Sequence, residues 1–368
     1  MADPYPYYAQ LRAEGPLIRH AESGLLVATT LTAVRAALAA GAARTRPADT
    51  PVPPAIVDTP AGRVFGRLVR MTDGATQAEA KAALVRTLAD ISPRHLGRIA
   101  CDEAAALLAE RPINPNALGF EVPVRVMAGA LGFAGEDSAV ARDLIAEFVA
   151  CISPLSGPDK IKAAIAAADR LDAMVARLID DRAPGLALGI ADEMALRLPT
   201  DPLLRVANAI GLMSQTYDAT GALVSLALVS LARVPGGRDL FATDPVAYLR
   251  EVARHDAPIQ NTRRFFHAPG QLLDVPVAAG QGVLLLLASA NRDPAGNAVP
   301  DRFDPARTAP VSMTFSDGPH RCPGEEIALY LAAGTLAALL ASGYEPEEIA
   351  LDRLIYAPSA NARIALIG

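Results

Sequence analysis

Only three cysteines, Cys101, Cys151 and Cys322, occur in 368 residues, and they are widely separated. That is too few and too scattered for a disulfide framework, and it suits a reducing compartment such as the cytoplasm. Basic charge is also in short supply. With 34 Lys plus Arg against 40 Asp plus Glu, the net charge of -6 leaves no electrostatic footprint for nucleic acid. The opening MADPYPYYAQLRAEG has no basic segment followed by an apolar run, so neither a secretory signal nor a membrane anchor is expected. The nearly uncharged stretch Ala219–Ala232 is shorter than the ~18 apolar residues of a membrane span and reads as buried helix. Internal repeats and Gly/Ser-rich or charged linkers are absent, while the 30 prolines are spread along the whole length. Residues 1–368 are therefore expected to form a single domain, working as a monomer.

What is present is mostly helical patterning. A chain this long, 51% hydrophobic, buries roughly three quarters of its unfolded-state surface, enough to enclose a sizeable cofactor. TQAEAKAALVRTLADI, KIKAAIAAADRLDAMVARLIDD and EEIALYLAAGTLAALLASG carry apolar residues at three- and four-residue spacing. Strand-like runs are few: GQLLDVP, GVLLLLA and the C-terminal ARIALIG. The expected class is mainly α with a small β component late in the chain. Residues 203–234 form one apolar pattern without proline, ended by Pro235-Gly-Gly. Such a helix would be ~48 Å long and run through the interior. In its middle lie Ser214, Gln215, Thr216, Tyr217, Asp218 and Thr220. Burying polar groups costs free energy unless each finds a partner, so the cluster marks either a cavity or a set of satisfied core hydrogen bonds. The Pro-rich stretch 46–64 is a long loop of the kind that covers pockets.

The most specific segment is Phe315-Ser-Asp-Gly318-Pro-His320-Arg321-Cys322-Pro-Gly324, followed at once by a helix. Backbone N–H groups and the helix dipole at that N-terminus would lower the thiol pKa and poise Cys322 as a thiolate. A thiolate can attack a substrate or bind a metal. The segment resembles the cysteine-ligand loop of cytochrome P-450 enzymes, Phe-x-x-Gly-x-His/Arg-x-Cys-x-Gly, with every specified position matched.

The resemblance implies a P-450-like fold holding haem b. Cys322 would ligate the iron, His320 would bond a haem propionate, and Phe315, Gly318 and Gly324 would shape the pocket. Further matches come in order along the chain. Glu251 and Arg254 resemble the family's Glu-x-x-Arg helix, and Phe303-Asp-Pro-Ala-Arg307 the segment whose arginine joins them in a buried network. Arg264 matches the propionate-binding arginine, with Arg263 the weaker candidate, and Ala290–Pro294 matches a recurrent surface turn.

Two departures stand out. Where the family carries His-x-x-x-Arg to the propionates, this chain has Gln77 and Lys81, both still hydrogen-bond donors, though Lys is a point charge where Arg would fork onto a carboxylate. On the long helix, the usual acid-threonine pair becomes Asp218-Ala219, with Thr220 one place later. Asp218 would still relay protons. Thr220, about 100° further round the helix, would point to one side.

The resemblance implies a monooxygenase oxidising, most simply hydroxylating, a small organic substrate. Electrons would come from a ferredoxin and ferredoxin reductase, docking on basic residues near the loop, Arg321 first. Substrate-pocket candidates are 46–64, Gly211–Tyr217 and Asp256–Thr262. Alternatives are peroxide-driven or non-oxygen chemistry (dehydration or isomerisation) on the same fold, a haem sensor or carrier, and a cysteine hydrolase.

Overall fold

The computed structural model describes residues 3–112 and 114–367. The first half of the chain is built from α1 (Tyr5–Glu14), α2 (Leu31–Ala39), α3 (Pro60–Phe65), α4 (Gly74–Leu88), α5 (Pro93–Glu110), α6 (Pro115–Leu131), α7 (Glu136–Phe148) and α8 (Pro158–Asp180). The second half adds α9 (Leu186–Arg197), α10 (Leu203–Arg233), α11 (Gly237–Thr243), α12 (Pro245–His255), α13 (Leu287–Asn291) and α14 (Glu325–Ala341). Start signals sit where capping chemistry puts them. Ser92 and Asn114 accept hydrogen bonds from the N–H groups of His95 and Asn116, each just before a proline at the first helical position.

The periodic segments fold as helices α4, α8 and α14, and the 203–234 pattern is the single helix α10. From Thr220 to Leu231 every residue of α10 is buried, as an all-round apolar helix requires. The longest uncharged run, residues 327–344, lies instead in α14 and the turn at its end. By length and composition alone this helix could cross a membrane; here it lies in the core against α5, α6, α10 and α12. The contact with α5 depends on two glycines. A Cβ on Gly334 would collide with the carbonyl oxygen of Gly97, and one on Gly97 would meet that of Tyr330 at 2.8 Å.

The β component is small but not confined to the end of the chain. A five-stranded sheet has the order β1-β2-β7-β4-β3, joining β1 (Leu17–Arg19), β2 (Leu26–Ala28) and β3 (Ala43–Arg44) to β4 (Thr262–Phe266) and β7 (Gly282–Leu285). β2 runs parallel to β7; β4 pairs β7 antiparallel with Arg264 opposite Val283. GQLLDVP is not one strand but a hairpin of β5 (Gly270–Leu272) and β6 (Val275–Val277), turned at Leu273 with a φ of 53°. β8 (Ile355–Tyr356) and β9 (Ala365–Leu366) make a second hairpin.

Ala290–Pro294, expected as a surface turn, is largely a buried junction. Asn291 is fully buried, accepts the N–H of Met313 and donates to Thr314 Oγ1 at 2.9 Å; Asp293 accepts the N–H of Leu31 at 2.8 Å. These bonds fasten the segment leading into the cysteine loop to α13 and to the N-terminal region. A turn rich in Asn, Asp and Arg looks solvated in sequence, but here its polar groups serve internal partners.

Candidate functional site

Glu251 and Arg254, one turn apart on α12, lie on the buried face of that helix. Arg254 is fully buried and Glu251 2% exposed. The guanidinium of Arg254 donates twice to the carboxylate, 2.7 Å each, and further to the carbonyls of Asn291, Pro300 and Arg302. Arg307 Nε reaches the same carboxylate at 3.2 Å, and the N–H of Asp304 at 2.8 Å. Phe303 packs against the rings of Tyr248 and His255. The sequence thus predicted this network correctly, and its burial makes it far more than a solvated pair: taking away one member of a fully buried pair leaves an uncompensated charge.

Held by this scaffold, residues 315–324 leave the helical core and return to it at α14. Gly318 has a φ of 63°, open to glycine without strain. The N–H of Cys322 donates to Phe315 O at 2.8 Å, closing the loop. Phe315, His320, Cys322 and Gly324 all line a cavity of about 690 Å³, within the ~300–1,000 Å³ usual for ligand sites. Ser316 Oγ, on the same wall, has no hydrogen-bond partner.

Cys322 departs from expectation in one respect. Burial pushes its thiol up from the ordinary value, outweighing the Gly324 N–H and Lys81, which favour the thiolate. The helix terminus acts in the expected direction, but desolvation of the charged form is larger.

The donors expected at propionates stand around the same loop. Gln77 Nε2 donates to Pro319 O at 2.9 Å, and Lys81 Nζ to the carbonyls of Pro319 and Arg321. His320 Nε2 lies 3.1 Å from Asp73 Oδ1. Burial raises the Asp73 carboxyl, but hydrogen bonds from His320 and Thr45 prevail and bring it down to about 2. Asp73 carries no motif, and sequence reading missed it. Arg264 sits on the buried face of β4, 5% exposed, and lines the cavity, whereas Arg263 is exposed. Among the described residues Arg264 pairs with no carboxylate; its hydrogen bond goes to Arg263 O.

α10 supplies another wall. Leu212, Gln215, Thr216, Ala219, Thr220 and Leu223 face the cavity. The polar cluster divides. Ser214, Gln215 and Thr216 are satisfied by carbonyls of their own helix, and Tyr217 packs on Phe120 with ring centroids 4.9 Å apart. Thr220, expected to point aside, is 1% exposed, lines the cavity, and its Oγ1 has no hydrogen-bond partner. Asp218 is not on the wall. It is solvent-accessible in a recess, where crowding by protein raises its carboxyl while Arg70 opposes the rise. Of the pocket segments foreseen, 46–64 contributes Arg46, Thr50 and Pro53–Ile56, and 256–262 contributes Pro258, Ile259, Asn261 and Thr262. Missed were Arg70, the Cys151–Ser156 loop and Asn361.

Among the described residues no group of three or more His, Cys, Asp and Glu side chains could hold a metal ion. One sulfur beside a large cavity therefore suits a metal that arrives with its other ligands in a macrocycle. The unpaired, buried Arg264, with Lys81, Gln77 and His320, suits the carboxylates such a macrocycle carries. Fold and site together suit a haem-binding protein.

The comparisons agree. The family model for cytochrome P450 matches residues 246–342. Vitamin D(3) 25-hydroxylase of Pseudonocardia autotrophica is 29% identical over 98% of this chain and 92% of its own. Cytochrome P450 monooxygenase PikC of Streptomyces venezuelae is 27% identical, covering 92% of this chain and 83% of that one. The crystal structure of CalO2 superposes with a TM-score of 0.86 at 22% identity, covering 99% of this chain and 94% of that one. Over nearly its whole length the chain is similar to bacterial cytochrome P450 monooxygenases, and the similarity supports a P450-type monooxygenase whose cofactor is haem b.

Proposed function

We propose that Cys322 is the axial ligand of haem b and that the chain, a single cytoplasmic domain acting as a monomer, oxidises a small organic molecule, with hydroxylation the simplest outcome. The observation carrying this reading is the placement of the Cys322 loop and the unpaired Arg264 on one cavity wall system. Haem, when bound, supplies the activation of dioxygen and the transfer of one oxygen atom to substrate. The chain does the rest. Cys322 would supply its sulfur to the iron. Arg264, His320, Lys81 and Gln77 would hold the propionates. Ile56, Phe65 and Leu223 keep water from the substrate. Thr220 Oγ1 offers the hydroxyl that Ala219 lacks, and Asp218, open to solvent and within the field of Arg70, holds and passes protons inward.

Electrons would come from a ferredoxin and its reductase at the outer side of the loop, where Val85, Leu88, Pro93, Arg250 and Arg321 line a depression. Both arginines there are paired, Arg321 with Glu325 at 3.2 Å and Arg250 with Glu326. Docking should therefore depend on salt only weakly, and on the apolar floor as well. Ala219 on the cavity wall favours a second reading, peroxide-driven turnover. Comparing product formed with ferredoxin, reductase and NADPH against product formed with hydrogen peroxide tests the proposal. Dioxygen-dependent product from the first system supports it; product from peroxide alone gives the second reading.

A further inference from the structure

Six of the side chains lining the cavity are Lys or Arg, and among the described residues none is Asp or Glu, in a chain whose net charge is -6. Arg263 is exposed, and the other five fall into two groups. Lys81, Arg264 and Arg321 lie with the Cys322 loop: Arg264 feels Asp73, and Lys81 feels Cys322. Haem accounts for Lys81 and Arg264, and Arg321 is exposed and paired with Glu325. Arg70 and Arg46 form the other, and they repel each other. Arg46 is partnered: it donates to the carbonyls of Thr50 and Pro51 and lies over the Phe65 ring, 5.1 Å from its centroid.

Arg70 is not. It lies in the short 3-10 turn that leads from α3 towards α4, and its Nε is sealed from solvent with no hydrogen bond. Among the described residues it forms no ion pair either; Asp218 influences it only at a distance. A guanidinium carries five donors and cannot shed its charge in a protein, so leaving it unbonded at a cavity wall is costly. The cavity that it lines is apolar over much of its wall, with Ile56, Val69, Met127, Ile161 and Leu212. The site thus offers a largely apolar space and an unpartnered planar cation, the geometry that takes a carboxylate bidentately.

We propose that Arg70 is the substrate-recognition residue of this cavity, and that it takes an organic acid: an apolar body whose carboxylate is gripped by the guanidinium. This rests on the haem-thiolate reading and adds the substrate class to it. Arg46 supplies a second positive charge behind the first, favouring anions over neutral ligands. Asp218 is kept off the lining, so no carboxylate of the described residues competes within the cavity itself.

The test uses haem-loaded protein and chain-matched probes: the acids from octanoate to tetradecanoate, with the amide and the alcohol of each. Binding is measured by calorimetry and by the change in the haem spectrum. At least one acid should bind on the order of tenfold more tightly than its amide, the size of a charge-assisted hydrogen bond. Arg70→Gln should erase that preference, and Arg70→Lys should keep part of it. Equal binding of acid and amide, no binding by any of the acids, or a preference that survives in Arg70→Gln would each overturn the proposal. The carbon monoxide spectrum of the reduced protein separates the two levels: a normal thiolate band without acid preference overturns only the role of Arg70, whereas absence of that band removes the haem-thiolate reading itself.

Discussion

The scaffold behind the Cys322 loop and the middle of α10 serve the same cavity yet are finished differently. Behind the loop, the Arg254 guanidinium reaches the Glu251 carboxylate and three backbone carbonyls, and Asn291 and Thr314 bond each other and the chain around them. On α10 and the turn before α4, Thr220 Oγ1 and Arg70 Nε are buried without partners. A part that must hold a ligand in one geometry gains from polar groups that satisfy each other. A part that meets substrate, water and protons must keep donors free, and the fold bears the cost of their burial.

The sharpest way to break this contrast is to unpair the scaffold. Glu251→Ala leaves Arg254 and Arg307 charged in the interior and should destabilise the protein by about 3–5 kcal/mol, read by urea unfolding of the haem-loaded enzyme. A loss under about 1 kcal/mol would mean the network is as dispensable as a surface pair. On the α10 side the same style of change should leave the fold intact and alter chemistry. Asp218→Asn should slow dioxygen-driven turnover on the order of a hundredfold with an unchanged unfolding midpoint. Thr220→Val should act less strongly, diverting electrons to peroxide, because Thr220 faces the cavity where Ala219 offers no hydroxyl. Unchanged turnover and coupling in both variants would assign the two side chains structural roles.

The smallest effect concerns Asp73, half-buried and bonded to His320 and Thr45. Its folded value, about 2, lies below the ordinary 3.8, so the carboxylate form is favoured by folding. That contribution is present above pH 3.8 and fades as pH falls towards 2. Asp73→Asn should cost less than about 1 kcal/mol at neutral pH, given screening by solvent. The difference from wild type should vanish in acid, as followed by unfolding at a series of pH values; a difference that persists there would make the bond's role steric.

Legibility in the sequence divides along the same line. The cysteine loop, the Glu251–Arg254–Arg307 set, Arg264 and the long interior helix were legible because each is a local pattern of residue types at fixed spacing. β1, β2 and β3 were not, since two or three residues cannot display an alternation, and the β7 residues that pair with β2 lie 257 positions further along the chain. Asn291 and Asp293 looked like a solvated turn because only the fold shows which atoms receive their hydrogen bonds. The direction of the Cys322 shift was misjudged because the helix terminus is visible in sequence and the desolvation around it is not. Arg70, a lone arginine outside any motif, becomes noticeable only when the absence of a partner can be checked.

The central claim, that the Cys322 sulfur is the haem ligand, is tested most directly by the carbon monoxide difference spectrum of the reduced protein, wild type beside Cys322→Ala, both shown to be folded and haem-loaded. The account predicts the red-shifted band of thiolate-ligated haem in wild type and its complete loss in the variant. The same band in Cys322→Ala, or its absence from haem-replete wild type, would contradict it.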